Sequence, residues 1–486
     1  MRGPGTDRRG EGWRLAGLLA LALLLFCPEG TGAQGGSRRR AAQPDTTSAY
    51  GVGLGGGLLT VEAFYTGEVI ANLDGGIASG TAWRGVADLM FTVDPTPLWG
   101  VSGTRVGVDL IGIHGDPPGG LTGDWQGVSD IAAPRTLRIY ELWLRQQLIP
   151  DRLSLLAGIY DVNTTFDVLE TATLFLNSSS GMGPDFAAGG PNGAPTYPYP
   201  GLSLLVQGSL SDHFELSALL ADGVPGDPDD AESTQYRIEA GEGALIGSEL
   251  AWVSDREGLT TLPPVATRWN ARRRRAGAHA GWGSGTAGRW GAGGWGRQRG
   301  RPPVPEPAPS GLPGTGALHY GKVALGLWRS TSRFTLPPAG GGPGDTLVRE
   351  GSWGGYLLAE RIVVPDRTDP QRMVGIFLRL GAADQRVEEI DRYVGCGVMA
   401  ARRLAGARQA LLGLALSAAR LGRNWADRLG VGQGADRWEV AAELTIRLQV
   451  GKRWALQPDL QYIVHPGFTP DRPHALAVGL RLELNG

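Results

Sequence analysis

The sequence has little cysteine, little lysine and no long apolar segment. Its 486 residues include 2 Cys, and of the 46 basic residues only Lys322 and Lys452 are lysines. Its 48 acidic residues bring the net charge to −2, so the chain lacks the basic excess that marks nucleic-acid binding. We therefore expect no nucleic-acid partner. No segment offers 18 consecutive uncharged apolar residues, and no transmembrane helix is predicted.

The N-terminal region has the features of an export signal. Arginines precede an apolar run of 12 residues, Leu15 to Phe26, and small residues follow it. We predict a signal peptide over 1–33 and a periplasmic segment over 34–57. Removing the signal takes away Cys27 and leaves Cys396 alone, so no internal disulfide is predicted.

The usual signatures of catalysis are also missing. Gly51-x-Gly53-x-x-Gly56 has the spacing of a dinucleotide-binding motif, but no βαβ pattern follows it. With 78 Gly in the chain such spacing arises by chance, and the same abundance argues against a helical bundle. The 6 His are scattered and form no cluster with cysteine. We therefore predict no metal, no cofactor and no catalytic residues, which means that the protein is not an enzyme.

Alternation of apolar and polar residues is the strongest signal in the sequence. From Trp438 to Val450 every second residue is apolar, which indicates a β-strand with one apolar face. Strands of soluble sheets usually have about 5–6 residues, whereas a tilted strand that crosses a bilayer needs roughly 9–11. The same pattern predicts sixteen strands: 59–66, 83–93, 104–113, 136–147, 152–161, 201–209, 212–220, 243–252, 317–328, 352–361, 372–382, 395–403, 408–419, 437–450, 453–464 and 474–485.

The connections between these strands alternate in length, as in outer-membrane barrels, which have short periplasmic turns and long external loops. We therefore predict an all-β fold, a transmembrane antiparallel up-and-down β-barrel of about 16 strands spanning 58–486. The link 253–316 is the exception, since it should be a short periplasmic turn. Because it is rich in Gly, Trp and Pro, it is interpreted as a low-complexity insertion, the alternative being an extra hairpin with a tether facing the cell wall.

Several predicted strands carry opposed charges on their polar faces. In a barrel of this size the inward faces line a water channel. Arginines and carboxylates there can hydrogen-bond to a neutral polyol, and an aromatic ring can stack on a sugar. The alternative is a hydrated lumen without selectivity. The residues predicted to line the pore are Arg84, Asp88, Arg105, Asp109, Arg138, Glu141 and Trp143.

Two further features bear on the width of the pore. The connection 162–200 is long enough to fold into the lumen and narrow it, although an ordinary surface loop is the alternative. Small residues at inward positions, including Gly107 and Gly413, are expected to clear space in the lumen.

Several longer stretches have a distinctive sequence. They are Tyr65-Thr66-Gly67-Glu68 with Asn72 to Gly76, GDWQGVSDIAAPRTLRIYELWLRQ at 123–146, LLAGIYDVNTTFDVLETATLFLNSSSGMGP at 155–184, DGVPGDP at 222–228 and LQPDLQYIVHPG at 456–467. In these stretches the chain resembles the carbohydrate-selective outer-membrane porins of the OprB family. The resemblance implies a sixteen-stranded barrel, assembled as a homotrimer, that passes sugars such as glucose passively across an outer membrane. It also implies that lumen arginines, acids and aromatics give sugar preference, and Arg84, Arg138, Glu141 and Trp143 lie in matching regions.

Together these patterns predict a bacterial outer-membrane porin for small carbohydrates of the glucose type. The expected partners are these sugars, outer-membrane lipid and lipopolysaccharide, further copies in a homotrimer, and the machinery that assembles outer-membrane barrels. Two alternatives stay open, a general non-selective porin and a secreted β-rich carbohydrate-binding or polysaccharide-acting protein.

Overall fold

The fold is taken from a computed structural model of the chain. The structure describes residues 52–54, 58–227, 230, 232, 241–254, 318–336, 347–364, 372–404, 407–431, 437–451 and 453–485. The predicted signal peptide 1–33, most of the segment 34–57 and nearly all of the insertion 253–316 lie outside the described residues and stay predictions.

The described chain is dominated by β-strands. A short strand, β1, precedes sixteen longer ones, and the predicted number of long strands is confirmed. The strands are β1 (Val52–Leu54), β2 (Leu59–Asp74), β3 (Gly80–Val93), β4 (Thr104–Gly115), β5 (Thr136–Ile149), β6 (Leu153–Tyr160), β7 (Gly201–Ser209), β8 (Phe214–Asp222), β9 (Ala244–Val253), β10 (Leu318–Leu336), β11 (Leu347–Val364), β12 (Met373–Ala383), β13 (Ile390–Leu404), β14 (Ala407–Leu421), β15 (Trp438–Gln449), β16 (Trp454–Val464) and β17 (Ala475–Asn485).

The long strands form a closed antiparallel barrel. Each of β2 to β16 pairs with the next strand along the chain, and β1 adds to β2. The pair β9–β10 bridges the predicted insertion, with Leu250 opposite Leu325. The last strand returns to the first long one, with Leu480 opposite Val69. Because every long strand has two neighbours, the barrel has no free edge to template aggregation.

The barrel is apolar outside and polar inside. In β12, Val374 and Ile376 face outward and are 46% and 54% exposed, whereas inward-facing Arg379 is fully buried. Tryptophans such as Trp83 and Trp353 are also more than half exposed on the outside. An apolar outer band with interfacial aromatics is the surface of a barrel that faces lipid.

Several strands are longer than their apolar pattern predicts, β2 and β10 among them. The strand predicted at 59–66 continues to Asp74, and the one predicted at 317–328 continues to Leu336. In the extension of β10 the outward residues, such as Arg333 and Thr335, are polar, and in that of β2 the inward residue Ile70 is apolar, so neither extension keeps a strict alternation of apolar outward and polar inward residues. Only residues 75–79 connect β2 to β3, where a longer loop was predicted.

Helical segments are short and lie in the connections. Among the described residues, none of the helices combines the length and apolar character needed to cross a membrane. They are α1 (Thr96–Trp99), α2 (Gly119–Thr122), α3 (Ser178–Gly181), α4 (Pro184–Ala187) and α5 (Arg423–Leu429), with 3-10 turns at Val162–Thr164, Thr171–Leu174 and Pro466–Phe468.

The space beside the inward glycines is filled by aromatic rings and is not part of an open lumen. A Cβ atom on Gly107 would lie 2.3 Å from the indole of Trp143. One on Gly413 would lie 2.8 Å from the ring of Phe175, which belongs to the connection between β6 and β7. The expectation that these glycines clear the lumen is therefore corrected, since the space they leave is filled by packed side chains.

We expect Gly107→Ala to lower the stability of the barrel by about 1–3 kcal/mol, because Trp143 is buried and cannot move aside without strain. The temperature at which the detergent-folded barrel unfolds measures this. Gly119→Ala is the matched control, since a Cβ there meets no atom within 4 Å. Equal unfolding temperatures for the two variants would contradict the packing argument.

Candidate functional site

Two loops fold into the barrel interior, the 116–135 loop between β4 and β5 and the 161–200 loop between β6 and β7. In the longer loop Phe166 and Phe186 are both 1% exposed. Its backbone contacts reach Lys322 of β10 and Arg379 of β12, on strands distant from β6 and β7 in the ring. The 161–200 loop therefore enters the lumen and narrows it, as the sequence predicts, instead of lying on the surface.

The two loops form one unit inside the barrel. The backbone N–H of Asp130 donates to the carbonyl of Leu176 at 2.7 Å, and that of Ser178 donates to the carbonyl of Gly127 at 2.8 Å. The hydroxyl of Tyr197 also donates to the carbonyl of Ile131 at 2.9 Å. A displacement of either loop would therefore disturb the other.

Three glutamates on the barrel wall hold the loop backbones. We call Glu360, Glu439 and Glu443 the wall carboxylates. Glu360 accepts from the backbone N–H groups of Glu170 and Thr171 at 3.1 and 3.0 Å.

The other two wall carboxylates also accept hydrogen bonds from loop backbone N–H groups. Glu443 accepts from the N–H groups of Leu176 and Asn177 at 2.6 and 3.0 Å. Glu439 accepts from the N–H groups of Trp125 and Gln126, both at 2.8 Å. Each carboxylate thus satisfies two successive buried donors that have no strand partner.

Arg379 has the complementary role for loop carbonyls. Its guanidinium donates to the carbonyl oxygens of Ser179, Ser180, Gly181 and Asp167 at 2.9 to 3.1 Å. Its Nε lies 2.8 Å from the Asp167 carboxylate, and both side chains are fully buried. One arginine therefore neutralises a buried loop acid and fixes four carbonyl groups at once.

Burial also shifts the protonation of the loop acids around Arg379. It raises the pKa of Asp167 to about 6, although Arg379 acts in the opposite direction. It raises the pKa of Asp185 to about 8, and the nearby Asp167 carboxylate adds to this. Asp185 is therefore mostly neutral at pH 7, as expected of a second acid beside an ion pair.

A β-bulge interrupts the alternation of inward and outward residues in the strand predicted at 136–147. Asp109 pairs with Glu141, but the next residue, Leu110, pairs with Ile139. Tyr140 is the extra residue on β5, so the inward positions change from even to odd numbers there. As a result Arg138, Tyr140 and Glu141 all face the interior.

Arg84, Asp88 and Arg138 are inward and buried, at 1%, 2% and 5% exposure. Arg84 donates to the carbonyl of Ala133 in the 116–135 loop at 2.8 Å. Arg138 donates to the carbonyl of Pro198 at 3.4 Å, and its guanidinium lies 5.4 Å from the ring centre of Tyr199. These two arginines thus contact the inward loops.

Asp109, Glu141 and Trp143 are also buried, whereas Arg105 is exposed. Glu141 accepts from the indole N–H of Trp143 and from the backbone N–H of Asp161, both at 3.3 Å. Arg105 lies opposite Arg145 near the start of β4. The structure thus brings Asp109, Glu141 and Trp143 together under the 161–200 loop and leaves Arg105 apart. Their role as pore-lining residues stays a prediction.

Between the two loops lies a cavity of about 160 Å³. That is room for on the order of ten water molecules, similar to the number of heavy atoms in one monosaccharide. The residues that line the cavity include Asp130, Asp161, Asn163, Phe175, Thr196 and Tyr197. They lie on loops, where positions carry no periodic signal, so sequence reasoning missed them.

The cavity has no evident metal chemistry. In the part of the chain that the structure describes, no three His, Cys, Asp or Glu side chains come together as a metal-binding group.

We expect Glu360→Gln to loosen the 161–200 loop, because the amide keeps one acceptor and turns an N–H donor toward another donor. The cost to loop docking is about 1–3 kcal/mol, and single-channel conductance should become larger and noisier. Glu350→Gln on the same strand is the control, since that side chain is 72% exposed. Identical conductance of Glu360→Gln and the unmodified protein would rule out a holding role for Glu360.

Comparison with known proteins agrees with this architecture. At high pH, the structure of Pseudomonas putida OprB matches with a TM-score of 0.67 and 16% identity, over 88% of this chain and 94% of that chain. The low-pH structure of the same protein gives a TM-score of 0.49 and 14% identity, over 88% and 92% of the two chains. At 16% identity the likeness to the high-pH structure establishes the fold alone.

No curated protein sequence matches the chain significantly. The family model described as carbohydrate-selective porin, OprB family, matches residues 82–485, which include fifteen of the sixteen barrel strands. A family match of this extent assigns the molecule to a class of channels rather than enzymes and to the outer membrane. The chain belongs to the OprB family of carbohydrate-selective porins.

Proposed function

We propose that this porin lets small carbohydrates of the glucose type diffuse passively through the cavity between its two inward loops. The observation that carries the proposal is a cavity the size of one monosaccharide, inside a barrel that belongs to a carbohydrate-selective family. Contacts with the sugar must be weak enough for release, because a channel has to let its solute leave as well as enter.

The cavity lining suits the two-sided chemistry of a sugar. Phe175 and Tyr197 supply aromatic faces for the C–H side of a pyranose ring. Asn163, Thr164 and Thr196 supply polar groups for its hydroxyls. A lining with both kinds of group supports selective passage over the alternative of a general non-selective porin.

In this proposal the residues that the sequence predicts to line the pore do not contact the sugar; they lie behind the loop residues that line the cavity. Arg84 and Arg138 orient the loops that form it, and Glu141 orients the loop at Asp161. Asp88, Asp109 and Trp143 complete the buried wall, and Arg105 faces water outside the packed region. Only the loop residues would touch the sugar directly in the narrowest part.

The remaining expectations belong to the same proposal. The chain would be exported by residues 1–33, inserted by the outer-membrane barrel assembly machinery and assembled as a homotrimer. Its exposed apolar outer face would contact outer-membrane lipid and lipopolysaccharide. A secreted carbohydrate-binding or polysaccharide-acting protein is less well supported, because such a protein has no need of an apolar exterior.

Conductance in planar lipid bilayers tests the proposal. We expect the refolded protein to give discrete channel steps that added glucose reduces, with a smaller effect of glycerol or maltose. Absence of any channel step would overturn the porin proposal. Equal reduction by all three solutes would favour the general, non-selective porin.

We expect Tyr197→Ala to weaken block by glucose roughly two- to tenfold, because an aromatic contact contributes about 0.5–1.5 kcal/mol. Tyr197→Phe keeps the ring and should stay close to the unmodified protein. Tyr462→Ala is the control, since that ring is 44% exposed on the outer face. If glucose block is the same in Tyr197→Ala and Tyr462→Ala, Tyr197 does not contact the sugar.

A further inference from the structure

Buried acids greatly outnumber buried bases in this protein. Among the described residues, eighteen Asp and Glu side chains are buried, against seven Arg. Most of these acids face the barrel interior, because charged side chains on the strands point away from the apolar outer surface. A lumen with one predominant sign of charge concentrates ions of the opposite sign.

Four of the seven buried arginines, Arg379, Arg437, Arg447 and Arg481, form ion pairs with acids. Arg481 donates to Glu68 at 2.8 Å and also binds Asp130, so this group of three carries a net charge of −1. Arg447 donates to Glu483 at 2.6 Å. These guanidinium groups therefore add little positive potential to the lumen.

Some of the buried acids are neutral at pH 7. Burial raises the pKa of Asp185 to about 8 and that of Glu388, in the connection between β12 and β13, to about 8. Setting these two aside, sixteen of the eighteen buried Asp and Glu residues remain beside seven buried Arg.

The residues that line the cavity also carry negative charge. Its charged lining residues are two carboxylates, Asp130 and Asp161, and no Lys or Arg lines it. Asp161 is held in place by the hydroxyls of Tyr140 and Thr196 at 2.6 and 2.8 Å. A solute in the cavity therefore meets oriented negative charge at both inward loops.

We propose that charge is a second selection criterion of this pore, which favours cations over anions. Neutral sugars and cationic amino sugars would pass, whereas uronates and phosphorylated sugars would be excluded. Asp130 and Asp161 are the specificity-determining residues at the cavity. This inference rests on the proposed function as a sugar channel, and it names the charge class of the sugars.

Reversal potentials of the refolded full chain in a potassium chloride gradient test the charge preference without any substitution. We expect potassium to be at least about threefold more permeant than chloride at low ionic strength, with a smaller ratio at high salt because screening is stronger. A ratio of one or below would overturn the inference.

Replacing single aspartates tests which residues cause the preference for cations. Asp130→Asn and Asp161→Asn should each lower the permeability ratio about twofold or more, and Glu68 still binds Arg481 when Asp130 is replaced. Asp212→Asn, in the exposed turn between β7 and β8, makes the same change of charge outside the lumen and should have no effect. If all three variants keep the same ratio, the cavity carboxylates do not select.

Uptake into liposomes separates this inference from the proposed function. At pH 7 we expect glucosamine to enter fastest, then glucose, with glucuronate slowest. Equal rates for the three would overturn the charge inference and leave the sugar channel standing. Failure of all three to enter, with potassium still preferred, would overturn the sugar channel and the sugar part of this inference, while the charge preference of the pore would stand.

Discussion

The interior of the barrel depends on carboxylates that bind backbone N–H groups. A loop that enters a barrel loses water as a partner and gains no strand neighbour, so each buried N–H needs another acceptor. Glu360, Glu439 and Glu443 each accept two consecutive N–H groups, and both inward loops are held in this way. A carboxylate accepts two such hydrogen bonds at once, and they are roughly twice as strong as neutral ones when the carboxylate is ionised. The loops can therefore stay in place around an open cavity.

The same requirement accounts for the acidic character of the interior. Holding loop backbones by their N–H groups requires acceptors, and glutamate provides two oxygens from a single wall position. Arg379 performs the converse task for carbonyl groups. Because the wall side chains that accept from loop N–H groups are mainly acids, the architecture of the pore and its preference for cations would have a common origin.

Much of the fold could be predicted because lipid and water face opposite sides of each strand. Their difference gives the period-two pattern seen from Trp438 to Val450, and it gave the correct strand number. The pattern failed where its physical cause was absent. Polar outward residues such as Arg333 hid the end of β10, the apolar inward residue Ile70 obscured that of β2, and the bulge at Tyr140 interrupted the alternation of β5. At the candidate site, six of the seven predicted residues proved inward and buried, whereas Arg105 is exposed.

The barrel, its up-and-down order and its lipid-facing surface can be predicted from the residues alone, since each follows from local alternation and the lengths of the connections. The content of the lumen cannot, because it depends on which loops and strands meet in three dimensions. Asp130, Asp161 and Tyr197 lie on two different loops and meet at one cavity because wall carboxylates on β11 and β15 hold those loops inside. No spacing along the sequence encodes that meeting, because it depends on contacts across the barrel between residues up to several hundred positions apart.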